Sequence, residues 1–135
     1  MRPTVTVELL DTARCRVTHG ASGHGIETAV APEYRGPGGR FSSTDLVAAA
    51  LGSCIASSIA PVAARHDLPL DSIRVDVDKQ LAVSPRRIAA LAVNVRLGVE
   101  ISKGLRIRLE RAAAACPVKA SLDPMVHVEI RFESV

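Results

Sequence analysis

One stretch limits what this chain can fold into more than any other: LVAAALGSCIASSIAPVAAR, residues 46–65. Large apolar residues fall at Val47, Leu51, Ile55, Ile59 and Val62, close to the period of a helix. Ala48, Ala49, Ala50, Gly52, Ser53, Ala56 and Ser57 fill the intervals, and side chains this small let a second backbone come close. The stretch predicts a long helix at the centre of the protein. Ahead of it, "SSTD" supplies a start. Ser42 or Ser43 can cap the helix, and Asp45, three residues after Ser42, makes a capping box with a shorter acid. Cys54 stands at mid-helix, and buried cysteine is ordinary packing material.

The rest of the chain reads as strands, turns and one further helix. "TVTVEL" and "RCRVTH" alternate and predict strands on either side of the turn "LDTA". "GASGHG" makes the next turn, a strand follows around Ile26 to Val30, and the Pro- and Gly-rich residues 31–41 form a loop. After the long helix, "IRVDVDKQLAV" and "IAALAVNVRLGVEI", joined by "SPRR", predict a hairpin of two long strands. "SKGLRIRLERAAAAC" predicts a helix with Ser102 as its cap and a stripe of Leu105, Leu109, Ala112 and Cys116. A short helical turn begins at Pro117, and "VHVEIRF" closes the chain as a strand. The order implies an α+β fold with helices packed on antiparallel sheet. With 135 residues, no repeat and no linker, one domain spanning residues 1–135 is expected.

Composition narrows the function. Aromatics make up 2% of the chain and there is no Trp, so the core must be built from Ala, Val, Leu and Ile. The net charge of +3 comes from dispersed basic residues, with Phe41, Phe132 and Tyr34 the only aromatics. That pattern argues against nucleic-acid binding, which asks for clustered charge and stacking surfaces. The apolar run around Cys54 is broken by Ser, Gly and Pro before it reaches the length of a bilayer span. The first residues also lack the form of a signal peptide. A soluble cytoplasmic protein is expected.

Cys15, Cys54 and Cys116 are an odd number, which argues against a disulfide framework. No CxxC or HxxxH pair occurs and His19, His24, His66 and His127 are scattered, so neither a metal nor a cofactor is expected. Cys54 and Cys116 both lie on apolar stripes and can be plain hydrophobes. Cys116, however, directly precedes a helix start, where unpaired N–H groups lower a thiol pKa. Cys54 has no such local help and needs a cation or donor delivered by the fold, such as an Arg. Whether two helices bring the thiols together is a matter of geometry, not of spacing.

"TDLVAAALGSC" and "AAAACPVKASL" resemble the two signature regions of the OsmC/Ohr family, and the likeness runs from about Arg14 to Phe132. The resemblance implies antiparallel sheets packed around a long central helix and a second helix, in an intertwined homodimer with its sites at the subunit interface. It implies thiol-dependent reduction of organic hydroperoxides, with hydrogen peroxide as a further substrate, in oxidative-stress defence. Cys54 then matches the peroxidatic cysteine and Cys116 the resolving one, and an external dithiol of the lipoyl type restores both. Two departures stand out. The family's hydroperoxide reductases carry a Glu ten residues before the first cysteine, where this chain has Thr44 with Asp45 beside it. Their activating Arg comes from a hairpin turn that here reads "HGASGHG". Arg14, Arg16 and Arg40 are the possible substitutes, His24 could also serve, and Asp45 is either a helix cap or a catalytic acid. These departures set the chain nearer OsmC-like proteins than dedicated hydroperoxide reductases.

Two other functions compete. A dimeric binding protein could use the same pocket for a small apolar or acyl ligand. Thiol-based hydrolysis or acyl transfer would need a His near Cys54 as base.

Overall fold

The computed structural model describes residues 2–135. They form two compact units, Met1–Leu46 and Val47–Val135.

In the first unit, β1 (Val5–Leu9), β2 (Arg14–His19) and β3 (Gly25–Ala29) make an antiparallel sheet in that order. Leu9 pairs with Cys15, and Cys15 in turn with Thr28. One face of this sheet therefore carries Val5, Val7, Leu9, Cys15, Val17 and Ile26, a period-2 apolar row. The loop that follows returns to the sheet through a bridge between Thr28 and Phe41. It ends at the start of α1 (Ser43–Arg65). The capping box forms as the sequence predicts: Asp45 N–H donates to Ser42 Oγ at 3.0 Å, and Ser42 N–H donates to Asp45 Oδ2 at 2.9 Å.

From Val47 onward α1 belongs to the second unit. Its buried residues Ala48, Leu51, Gly52, Ile55, Ile59 and Ala63 trace one stripe. Leu51, Ile55 and Ile59 are fully enclosed, each contributing about 1.5–3 kcal/mol of transfer free energy. They meet a sheet ordered β4 (Ile73–Val83), β5 (Arg86–Leu97), β6 (His127–Ser134). Along β5, Leu91, Val93, Val95 and Leu97 point into this core while Ala92 and Arg96 point out. At Gly52 helix and sheet pack tightly, since a Cβ there would lie 2.9 Å from Val77 Cγ2. The outer face is laced by exposed ion pairs, Arg96–Asp76 at 2.8 Å and Arg131–Glu129 at 2.9 Å, each adding little to stability.

The α+β architecture is as expected, with one difference in the second sheet. β6 lies parallel to β5, so that sheet is mixed rather than wholly antiparallel. The cause is the connection. Residues 98–126 carry α2 (Lys103–Ala114) and the short α3 (Pro117–Ser121) across the sheet, and a helical crossover returns a strand in parallel. Ser102 caps α2 through its Oγ, 3.1 Å from the Leu105 N–H. Leu109, Ala113 and Cys116 from this crossover complete the core.

A second difference concerns α1. Ser, Gly and Pro do not shorten it, and by length and composition it is the one helix among the described residues that could cross a membrane. Its large side chains nonetheless gather on the stripe that packs against β5, which is the arrangement of a core helix.

Candidate functional site

The second unit brings Cys54 and Cys116 near enough for each to shift the other's ionisation, although 62 positions separate them. Cys54 projects from the middle of α1 and is half-buried. Cys116 is fully buried at the N-cap of α3. Pro117 opens α3, where a missing N–H costs nothing, and the N–H groups of Val118 and Lys119 follow as unpaired helix-start donors.

The two thiols are driven in opposite directions. The Cys116 thiol, the Val118 N–H and the Ser58 hydroxyl all hydrogen-bond toward Cys54 and pull its pKa below the ordinary thiol range, with burial opposing them. Burial pushes the Cys116 thiol up, and its bond to Cys54 pushes the same way, while the N–H groups of Lys119 and Val118 pull back only in part. Of the two sulfurs, Cys54 is therefore the one favoured to ionise first. This corrects the expectation that the helix start would favour a Cys116 thiolate. Enclosure outweighs the helix start at Cys116, and the Val118 N–H acts on Cys54 as well.

Ser58 and the Val118 N–H are the groups that reasoning from sequence missed. Ser58 stands one turn beyond Cys54, its Oγ 2.7 Å from the Cys54 carbonyl oxygen. A serine four residues after a cysteine was a readable sign, because such pairs share a helix face. The Val118 N–H had no comparable sign. Within Val47–Val135, no arginine is among the groups that shift Cys54.

The remaining candidates lie in Met1–Leu46. Arg14 is engaged by Asp11, Nη2 to Oδ2 at 2.8 Å. That contact raises the Arg14 pKa, and the Ala13 N–H and the Arg14 side chain lower that of Asp11. Arg16 is exposed on β2. Arg40 is exposed beside a groove of about 610 Å³ lined by Ile26, Glu27, Gly39, Arg40, Phe41 and Asp45. Asp45 receives the Ser42 N–H, and Thr44 Oγ1 lies 3.1 Å from Ser42 Oγ. Cys15 is a half-buried strand residue and unpaired with another cysteine. All four histidines are exposed. No group of three or more His, Cys, Asp or Glu among the described residues comes together to hold a metal ion.

The model of the OsmC-like protein family matches residues 36–131. No curated protein matches the chain. Among solved structures, a Psychrobacter arcticus protein named for osmotic stress induction and a detoxification response superposes with a TM-score of 0.90 at 25% identity. The match covers 98% of this chain and 97% of that one. An organic hydroperoxide resistance protein from Legionella pneumophila superposes with a TM-score of 0.76 at 20% identity over 98% of both chains. The organic hydroperoxide resistance protein OhrB of Bacillus subtilis does so with a TM-score of 0.63 at 17% identity, over 97% of this chain and 98% of its own. These last two likenesses concern the fold.

Proposed function

From the premise that the chain belongs to the OsmC-like family, we propose that it is a thiol peroxidase of organic hydroperoxides, in which Cys54 attacks and Cys116 resolves. The observation that carries this reading is the asymmetric pair, an accessible sulfur favoured as thiolate beside an enclosed one favoured as thiol. The Cys54 thiolate attacks the terminal oxygen of the hydroperoxide, the O–O bond breaks, and the alkoxide leaves as an alcohol after taking up a proton. Cys54 is then a sulfenic acid. The Cys116 sulfur displaces its hydroxyl as water and forms the disulfide, sparing Cys54 from further oxidation. An external dithiol of the lipoyl type reduces the disulfide by two exchanges and is itself oxidised to a cyclic disulfide.

The working unit in this proposal is a cytoplasmic homodimer. Val5, Val7 and Leu9 support it, a row of apolar side chains left 50%, 57% and 82% exposed on the first sheet.

The groove beside Arg40 favours a second reading, in which the protein binds a small apolar or acyl ligand without chemistry. One experiment separates the two. Reduced protein is given one equivalent of an organic hydroperoxide while free thiols and peroxide are counted, with Cys54→Ser and Cys116→Ser alongside. Rapid loss of two thiols per chain, abolished by Cys54→Ser, and turnover with dihydrolipoamide are expected. Thiols that persist at the rate of free cysteine would leave the binding reading, and Cys54→Ser would then retain ligand.

A further inference from the structure

Cations outnumber anions five to one between Lys103 and Lys119, a stretch that contains α2 and leads into Cys116. The whole chain carries a net charge of +3, so this stretch holds more net positive charge than the chain that contains it. Its single acid, Glu110, is engaged within the helix. Arg106 Nε donates to Glu110 Oε1 at 3.2 Å, and Arg106 Nη2 donates to the Phe132 carbonyl oxygen of β6. Lys103, Arg108 and Arg111 are exposed and make no ion pair among the described residues.

A helix face that only meets water usually alternates its charges. The face of α2 does not, and two of its charges run against what the helix prefers. No acid stands in the first turn, and Lys103 occupies its first position, at the positive end of the dipole. Arg108 and Arg111 stand three apart, a like-charge spacing that weakens a helix. Only Arg111, in the last turn, suits its place. Ile107 lies among these cations 43% exposed. Local preferences set aside together on one surface point to a partner rather than to the fold.

Position indicates which partner. Cys116 lies five residues beyond Arg111, and the two residues before it, Ala114 and Ala115, are small and exposed. We propose that the exposed face of α2, through Lys103, Arg108 and Arg111, docks an acidic protein that carries the reducing dithiol. Carboxylates of the carrier meet the two guanidinium groups, whose planar forks suit them. The alanines leave room for the dithiol arm beside Cys116, where it reduces the disulfide by the two exchanges described above. A free dithiol has no use for a charged face about 18 Å long. Nucleic acid is a poorer match, because no aromatic side chain on this face offers its bases a stacking platform.

The inference rests on the peroxidase reading, and the two fail differently. Turnover of an organic hydroperoxide is measured with free dihydrolipoamide and, in parallel, with a dihydrolipoyl group borne on a lysine of a small acidic protein. Arg108→Glu combined with Arg111→Glu should raise KM for the carrier about tenfold or more, and keep turnover with free dihydrolipoamide within about twofold. Added salt should raise the carrier's KM for the unaltered protein and change it little for the double variant. Arg108→Lys with Arg111→Lys keeps the charge and should keep most of the carrier's affinity. Equal carrier KM in the unaltered protein and the Glu variant would overturn the docking face. A Glu variant slowed equally with both reductants would overturn it too, since the change would then lie in the site or in folding. So would an unaltered protein that binds duplex DNA through these arginines and is not saturated by the carrier. No turnover with free dihydrolipoamide in the unaltered protein would sink the peroxidase reading itself, and the docking face with it.

Discussion

A thiol can attack a peroxide only after losing its proton, and at Cys54 neighbours rather than position decide how readily that happens. In mid-helix the residue has no free backbone N–H. Its donors arrive from Cys116, from Val118 and from Ser58 one turn on. The sign of the shift sets the pH dependence. A lowered pKa means that the reactive fraction of Cys54 rises with pH and saturates before that of a free cysteine does. Replacing Cys116 with Ala removes the first of these donors, and the midpoint of Cys54 alkylation should climb toward the ordinary thiol value. An unchanged midpoint in Cys116→Ala would show that the pairing does not act on ionisation. Asp45 belongs to a different account at this scale. Its carboxylate accepts the Ser42 N–H, and removing the reciprocal acceptor with Ser42→Ala should lower stability by about 1 kcal/mol in urea unfolding. The motif around each cysteine was legible in the residues, but the donors were not, because a backbone N–H has no letter in the sequence.

Elements repeat the lesson with more success. Strand alternation, the caps Ser42 and Ser102, and the spacing of Leu51, Ile55 and Ile59 were all readable, and the structure places each in its element. Local patterns suffice where local forces decide. The direction of β6 was not readable, since "VHVEIRF" alternates identically in either orientation and the crossover alone sets it. Small residues along α1 led to the expectation of a close second backbone, but what Gly52 meets is the Val77 side chain. Two effects oppose each other in Gly52→Ala. Helix propensity favours Ala by about 1 kcal/mol, while overpacking against a stiff β-branched side chain costs about 1–3 kcal/mol. Net destabilisation of up to about 2 kcal/mol should follow, measured as a lower denaturation midpoint. Adding Val77→Ala should relieve the clash, so that the pair loses less than the sum of the single changes.

At the scale of the whole molecule, the first sheet poses a problem that a lone chain does not solve. β1 is an edge strand, and its Val5, Val7 and Leu9 stand largely exposed on one face, continued by Val17 and Ile26 through the register. Edge strands that remain in water are normally blunted by Lys, Pro or a bulge, and β1 offers none of these. A second copy of the chain laid over this row would hide it, which is the homodimer proposed above. Val7→Lys or Leu9→Lys should then weaken association roughly tenfold or more, because each would set a charge against apolar surface. Sedimentation velocity across a dilution series reads the effect directly. The unaltered protein should sediment as a dimer, and the Lys variants should shift toward monomer at equal concentration. Thr6→Lys, on the opposite face of the same strand, should leave the dimer intact. If all three variants sediment alike, the apolar row is not the contact, and what covers it must be sought elsewhere.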